Sequence, residues 1–251
     1  MTNKEQNIID EKLFKLGERT GGRFSGTEIR KPSSICTDVK TYIRHIKKHT
    51  PDDRRDAPSA PERWLKDNWY IAENAAQDAV SFFERAPRLR KSGDDFDVAA
   101  AASDMVGYTE GNITKKALVS FILGLQKGWQ MSETELYAFV PAVTVALLKK
   151  LAEECSDTSE KRETVFRNIF TSLRFIDNFD GSDMIEQINR VELILRKDPA
   201  GVYPKMDKRT RHLYRVQLSK IAEKAGMGEV EAANTILKLA QESREHVQIH
   251  F

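Results

Sequence analysis

The amino-acid sequence predicts an all-α protein, a bundle of about eight antiparallel helices joined by short loops. Three observations lead to this fold class. The 251 residues include only 13 glycines and 8 prolines, below average usage, so few residues interrupt helices. Apolar residues recur at helical spacing along most of the chain, and no convincing strand-like alternation appears. Capping residues precede several of these periodic segments.

Composition excludes several classes of protein. Charged residues make up 31%, apolar residues 40%, and the net charge is +2, a balance typical of a soluble globular chain. The longest apolar run, residues 136–148, is too short to cross a bilayer and contains Pro141. Two cysteines, Cys36 and Cys155, cannot form a disulfide framework, and the polar first residues do not resemble a signal peptide. We therefore expect a cytoplasmic protein.

The first part of the chain differs from the rest. A helical pattern in residues 8–16 is predicted to end at Gly17, with a glycine-containing loop at 21–26 and a second helix over 35–50. Residues 50–58 are almost entirely charged residues and proline, which indicates a linker or exposed loop. The predicted division is an N-terminal extension, 1–58, followed by a helical bundle, 59–251.

The bundle begins with a well-marked helix. Ser59 and Glu62 have the spacing of a capping box, and the helix must end near Arg85 because Ala86 precedes a proline. Further helices are predicted over about 95–108, 113–127, 132–151, 159–176, 183–198, 207–226, and from 228 past 239.

Three local signals support these boundaries. Ser132 and Glu135 form a second capping box before the most apolar helix, in which Pro141 is expected to produce a kink. Asp207 is the predicted cap of the seventh helix, and Gly226 is a natural residue at its end.

Motifs for catalysis or metal binding are weak. Neither a dinucleotide-binding nor a P-loop glycine pattern occurs, and no cofactor is expected. His45 and His49 have the spacing of two metal ligands on a helix, but the lysines between them would repel a cation, so no metal site is predicted. Asp180 and Asp183 are explained by turn formation and helix capping. The acidic stretch around Cys155 is expected to raise the pKa of its thiol.

A cationic segment stands out more clearly. Residues 196–224 contain nine Lys or Arg residues and three acidic residues. Such a segment could contact phosphates or anionic lipid head groups, or it could form the solvated face of an amphipathic helix.

The region after this segment has a helix-turn-helix-like pattern. Residues 221–230 lead across a glycine turn to residues 235–237, with small residues suited to helix packing. A DNA-reading helix needs Arg, Asn, Gln or Ser near its start, whereas this one begins with Glu229 and Glu231. Specific nucleic-acid binding is therefore not expected, and a helix-turn-helix regulator is kept as the alternative function.

One segment carries a family resemblance. Residues 198–215 are DPAGVYPKMDKRTRHLYR and resemble the DPAGxYxxMDxxTRxxYR segment of the cyclic β-1,2-glucan synthases, large bacterial membrane glycosyltransferases. In the same order, residues 64–71 resemble that family's WLLDNFYLI helix, residues 132–141 its LTIGELWALP helix, and residues 244–247 its RxHV end. The resemblance covers about 60–251.

The resemblance implies a function without a catalytic centre. In that family these helices form a cytoplasmic N-terminal region ahead of the membrane spans and the UDP-glucose transferase domain. It implies an accessory domain, not an enzyme by itself, which positions or assembles the transferase. The implied partners are the downstream glycosyltransferase or membrane domains, at the inner face of the cytoplasmic membrane. The chain departs from the family pattern at Trp69, which replaces a Phe, and in the helix after Asp94, which lacks the usual Tyr and Leu.

Four cations of the resembling segment are the candidate ligand- or partner-binding residues. They are Lys205, Arg209, Arg211 and Arg215, which line one side of the predicted seventh helix and its approach. The same residues could instead be part of the architecture that packs this helix. Both interpretations predict a tight turn at 198–201.

Overall fold

A computed structural model describes residues 10–51, 59–156 and 162–249 and confirms the all-α fold class. The described residues form eleven α-helices and one small sheet. In chain order the helices are α1 Glu11–Gly21, α2 Ser33–His49, α3 Ala60–Arg85, α4 Asp97–Tyr108, α5 Lys115–Gly128, α6 Glu133–Cys155, α7 Arg162–Asp177, α8 Gly181–Ile188, α9 Arg190–Leu195, α10 Lys208–Ala225 and α11 Glu229–Ile249. No helix among the described residues is long and apolar enough to cross a membrane.

The small sheet was not predicted. Its three antiparallel strands lie in the order β1 Glu28–Arg30, β2 Leu89–Ser92 and β3 Asp95–Phe96. Residues 28–30 pair with 91–89, and residues 91–92 pair with 96–95. Strands of two to four residues are too short to show an alternating apolar pattern, which is why the sequence analysis missed them.

The chain folds into two compact units. The first unit contains the residues up to Trp129 together with Tyr137–Phe179, and the second contains Gln130–Leu136 together with the residues from Asp180. The boundary that the sequence suggested after residue 58 lies within the first unit, because α1 packs on α5 and α2 packs on α3. The predicted linker lies almost entirely outside the described residues.

Both predicted capping boxes are present. The Glu62 carboxylate accepts hydrogen bonds from the Ser59 N–H and hydroxyl at 2.8 and 2.7 Å. The Glu135 carboxylate accepts the equivalent bonds from Ser132 at 2.8 and 2.9 Å. In return, the Ser59 side chain accepts from the Glu62 N–H, and Ser132 Oγ accepts from the Glu135 N–H at 3.3 Å. These reciprocal bonds satisfy donors that a helix start leaves free, so the two helices begin where the sequence indicated.

The prediction that the first helix ends at Gly17 was wrong. Helix α1 continues to Gly21 and packs directly against α5. A Cβ atom at Gly17 would collide with the backbone carbonyl of Phe121, and one at Gly124 would collide with the carbonyl of Phe14. Glycine is required at both positions because the backbones of α1 and α5 approach each other closely. Helix α1 therefore continues past Gly17 instead of ending there.

The core of the first unit contains most of the apolar α6. Phe139 and Leu147 of this helix are fully buried, and the Phe139 ring stacks on Phe121 of α5 with 5.9 Å between centroids. Pro141 lies inside one continuous helix. The prediction that the most apolar segment is a buried core helix is confirmed.

The second unit contains a helix break that the sequence analysis did not predict. The expected helix over 183–198 is divided into α8 and α9 at Asn189, whose side-chain oxygen accepts from the N–H groups of Val191 and Glu192 at 2.9 and 3.1 Å. Asparagine is a strong N-cap, so it starts a new helix within an apolar pattern. The predicted end of α10 is confirmed by Gly226, with φ of 66°.

Candidate functional site

The turn at the start of the resembling segment is held by one carboxylate. Asp198 accepts hydrogen bonds from the backbone N–H groups of Ala200, Val202 and Tyr203 at 2.9–3.0 Å. The bond from the Tyr203 N–H is the main reason that the pKa of Asp198 lies below its ordinary value. Gly201 has φ of 64°, which a residue with a side chain rarely adopts. The turn therefore fixes where the Tyr203 side chain enters the second unit.

Tyr203 delivers a hydroxyl group to a buried carboxylate. Its hydroxyl donates to Glu192 Oε2 at 2.7 Å, and both side chains are buried. Burial raises the pKa of Tyr203, and the bond to Glu192 raises it further. The phenol consequently remains a protonated donor.

Arg215 is one of the most deeply buried side chains in the described structure, with 1% exposed. Its Nε lies 2.8 Å from Glu133 Oε1, and its Nη1 pairs with Glu192. Burial alone would lower the pKa of Arg215, but the attraction of Glu133 and the hydrogen bonds to Glu133 and Tyr203 outweigh it and raise the pKa. The guanidinium group is therefore a permanent positive charge inside the unit.

Two further arginines complete the arrangement. Arg211 Nη2 lies 2.7 Å from Glu186 Oε2, and its Nε lies 3.1 Å from Glu192 Oε1. Arg196 Nε lies 2.7 Å from the same Glu192 oxygen, and its Nη2 lies 3.3 Å from Glu186. We call Arg196, Arg211, Arg215, Glu133, Glu186 and Glu192 the Arg–Glu cluster.

The Arg–Glu cluster balances three positive charges with three negative charges. Burial opposes ionisation of Glu192, yet the bond from Tyr203 and the pairs with Arg196 and Arg215 together hold its pKa below the ordinary value. Asn189 and His212 also contact Glu133, His212 through Nδ1 at 3.1 Å. Since Glu192 stays ionised and Tyr203 stays protonated near neutral pH, the arrangement suits structural support rather than proton transfer.

The structure separates the four cations that the sequence singled out. Arg211 and Arg215 are buried in the Arg–Glu cluster, whereas Lys205 and Arg209 are exposed and form no ion pair within the described residues. The four therefore do not share one exposed surface. Their role in binding a ligand or partner stays a prediction.

The sequence analysis missed the acids of the cluster. Glu186 and Glu192 lie among the apolar residues of α8 and α9, and Glu133 lies inside the second capping box. A weak signal was available: Arg211 and Arg215 share a helix face with Leu218 and Ala222, both buried. Cations in phase with a buried stripe require buried acids as partners.

The helix-turn-helix-like region adopts two helices around Gly226. At the start of α11, the Glu229 carboxylate accepts hydrogen bonds from the Ser219 hydroxyl and, at 3.0 Å, from the Glu133 N–H. Burial raises the pKa of Glu229, and the hydrogen bond from Ser219 lowers it in part. Glu229 thus belongs to the internal contacts of the unit, and Glu231, two residues later in the same turn, is exposed.

The other candidate residues have local roles. The His45 and His49 rings lie 4.4 Å apart, and His49 Nδ1 lies 2.9 Å from the His45 carbonyl oxygen. The described residues contain no group of three or more side chains that could hold a metal ion. Asp180 caps α8 by accepting from the Ser182 N–H at 2.9 Å, as predicted. Burial, more than the neighbouring acids, raises the pKa of Cys155 to about 11.

The first unit contains a groove of about 530 Å³ between α3, α6 and α7. Tyr70, Phe82, Pro141, Leu173 and Asp177 are among the residues that line it. Its volume is in the range of small-molecule pockets. None of the four cations singled out from the sequence lines it.

Comparison with protein-family models and with curated proteins finds no match to this chain. The function therefore has to be argued from the site and from the resemblance of residues 198–215.

Proposed function

We propose that the chain is a non-catalytic helical accessory domain of a cyclic β-1,2-glucan synthase-like glycosyltransferase, where it positions or assembles the UDP-glucose-dependent transferase. The observation that supports the proposal most directly is that residues 198–215 make structural contacts within the second unit. These residues carry most of the resemblance, and the side chains of Asp198, Tyr203, Asp207, Arg211 and Arg215 are occupied by contacts within the second unit.

The contacts follow the resembling pattern position by position. Asp198 holds the turn, Tyr203 bonds to Glu192, and Arg211 and Arg215 enter the Arg–Glu cluster. Asp207 caps α10 by accepting from the backbone N–H of the third helical residue at 2.9 Å. Polar side chains that contact one another inside the fold are suited to a rigid module. Buried ion pairs can favour one arrangement of helices over others.

The surface of the second unit is also suited to a binding role. Among the described residues ten large apolar side chains are exposed, and seven of them belong to this unit. Large exposed apolar patches mark protein–protein or membrane interaction sites or ligand-binding grooves. The seven are Leu193, Val202, Leu213, Tyr214, Ile221, Ile236 and Leu239.

Complementation in trans tests the accessory role. The chain is co-expressed with a cyclic β-1,2-glucan synthase that lacks the corresponding helical region, and cyclic glucan is measured. We expect the chain to restore synthesis, Arg167→Met, at an exposed arginine of the first unit, to restore it equally, and Arg215→Met to fail because it disrupts the Arg–Glu cluster. Absence of restoration by the unmodified chain would contradict the proposal.

A direct assay tests the non-catalytic part. The purified chain is incubated with UDP-glucose, and transfer of glucose to glucan is measured. We expect no incorporation, because Asp198, Tyr203, Asp207, Arg211 and Arg215 of the resembling segment are engaged within the fold. Incorporation by the chain alone would show that it is an enzyme.

The second candidate function is a helix-turn-helix-type nucleic-acid-binding regulator, which the arrangement of α10, Gly226 and α11 favours. The start of α11 disfavours it, since the exposed Glu231 would face phosphate and Glu229 is engaged within the unit. A salt titration of duplex DNA binding separates the two functions. We expect weak, sequence-independent binding that salt abolishes, whereas nanomolar, sequence-dependent binding at physiological salt would favour the regulator.

A further inference from the structure

The exposed side of α10 combines apolar and cationic residues in one stripe. Leu213 and Ile221 are eight residues apart, so they lie on the same side of the helix, and they are 52% and 56% exposed. Tyr214, 54% exposed, lies beside Leu213 with its ring edge-on to Tyr203. This side faces away from Arg211 and Arg215, which occupy the buried side.

The cations of the same stripe have no internal partners. Arg209 lies one turn before Leu213, while Lys220 and Lys224 lie beside and one turn beyond Ile221. All three are exposed, and none forms an ion pair with a described carboxylate. We call the stripe the cationic apolar face; it comprises Arg209, Leu213, Tyr214, Lys220, Ile221 and Lys224.

We infer that the cationic apolar face of α10 binds the surface of membranes that contain anionic phospholipids. Leu213 and Ile221 can enter the boundary between head groups and acyl chains, and the Tyr214 ring suits the same depth. Lys220 and Lys224 can extend from the same stripe to phosphates in the head-group layer. The face therefore lies flat on the bilayer, and no part of the helix has to cross it.

Charge and apolar content together select this partner. A nucleic acid would neutralise the three cations but would leave Leu213 and Ile221 without an apolar environment. A bilayer with neutral head groups would accept the apolar side chains but would offer the cations no attraction beyond that of water. The inference goes beyond the accessory role proposed above and stands without it, because it uses only the exposed face of one helix.

Vesicle co-sedimentation tests the inference with the full chain. The vesicles are phosphatidylcholine alone or phosphatidylcholine with about 30% phosphatidylglycerol, at about 0.1 M salt. One variant carries Lys220→Gln with Lys224→Gln, and its matched control carries Lys115→Gln with Lys116→Gln, two exposed lysines of the first unit. A third variant carries Leu213→Ser with Ile221→Ser and is compared with Tyr108→Ser, which is 49% exposed before substitution.

We expect binding only to the anionic vesicles. The double substitution of Lys220 and Lys224 should lower the vesicle partition coefficient about 25-fold, or about fivefold for each cation removed. The control substitution of Lys115 and Lys116 should leave the coefficient nearly unchanged. The Leu213 and Ile221 pair should abolish binding, and the Tyr108 control should not. Circular dichroism verifies that every variant is folded.

Several outcomes would overturn the inference. The first is absence of binding to anionic vesicles, and the second is equal binding to anionic and neutral vesicles. The third is that both double lysine variants lose binding equally, which would mean that binding depends on the total charge of the chain and not on this face. Binding to duplex DNA or to an acidic peptide without binding to vesicles would also overturn it. None of these outcomes bears on glucan synthesis in the complementation experiment, so the two proposals can fail separately.

Discussion

Replacement of Arg215 by methionine tests whether the Arg–Glu cluster holds the second unit together. Arg215 is 1% exposed, lies 2.8 Å from Glu133 and pairs with Glu192. Methionine fills a similar space with an apolar chain, so the principal loss is charge compensation. Removing one partner of a buried ion pair lowers the free energy of unfolding by about 3–5 kcal/mol, and we expect a loss in that range.

Arg209→Met is the matched control. The same residue type lies on the same helix six residues earlier, but Arg209 is exposed and forms no ion pair within the described residues. Its replacement should change the free energy of unfolding by less than about 0.5 kcal/mol. The difference in the free energy of unfolding between the two variants therefore reports the burial and ion pairing of Arg215, and not merely the loss of an arginine from α10.

The loss in Arg215→Met should depend on pH. The pKa of Glu192 is lowered in the folded chain, so its stabilising contribution is present above the ordinary glutamate pKa of about 4.3 and disappears as pH falls through the folded pKa. In the variant, the cluster carries one uncompensated negative charge, which destabilises the fold until a carboxylate of the cluster binds a proton. The stability difference between the unmodified chain and the variant should therefore shrink from pH 7 to pH 4.

Urea unfolding followed by circular dichroism measures these free energies, and hydrogen exchange of peptides from α9 and α10 assigns the loss to the second unit. Adding Glu133→Gln to Arg215→Met should recover part of the loss, because Glu133 has lost its arginine partner whereas Glu192 keeps Arg196 and Arg211. Equal losses in Arg215→Met and Arg209→Met, or a difference that stays constant between pH 7 and pH 4, would refute the reasoning.

Three further predictions use the same urea measurement. Leu147→Ala, at a fully buried position of α6, should cost about 2–5 kcal/mol, and Lys149→Ala, at an exposed position, less than about 0.5 kcal/mol; similar losses would contradict the central place of α6. Gly124→Ala should cost about 1–3 kcal/mol because the new methyl group collides with the Phe14 carbonyl, and a neutral effect would show that the helices separate readily. Glu229→Gln should stabilise the chain above about pH 4.3, since the pKa of Glu229 is raised by burial; a loss at pH 7 would contradict this.

The helix boundaries that the sequence predicted correctly are those set by neighbouring residues. Ser59 with Glu62 and Ser132 with Glu135 close their hydrogen bonds within one helical turn, so four consecutive residues suffice to identify the start. Gly226 ends α10 for an equally local reason, because the backbone there is left-handed.

The failures at Gly17 and Asn189 have non-local or competing causes. Glycine within an apolar period predicts a helix end, but at Gly17 it accommodates the backbone of α5, more than 100 residues away along the chain. At Asn189, the apolar period suggested continuity while the side chain favoured a new helix start, and the cap prevailed. Only the tertiary structure decides which of the two signals dominates.

The candidate site was predictable in part. The sequence identified the cationic segment, but it did not show which of its cations are buried and which are exposed. Arg215 finds its partners 23 and 82 residues earlier, at Glu192 and Glu133, and neither separation corresponds to a helical repeat. The phase of Arg211 and Arg215 with Leu218 indicates the buried side, but identifying the acids requires the packing of α6, α9 and α10 residues within one unit.

This division of α10 makes its two sides experimentally separable. The buried side holds Arg211 and Arg215, whose charges are balanced within the unit, so substitutions there should change stability first and binding only as a consequence. The exposed side holds Lys220 and Lys224 beside Ile221, and neither lysine pairs with a carboxylate in the described part of the chain, so substitutions there should change binding without changing the urea midpoint. If the two lysine substitutions lowered stability as much as Arg215→Met, the cations of α10 would act together, and an exposed binding face distinct from the Arg–Glu cluster would have no basis.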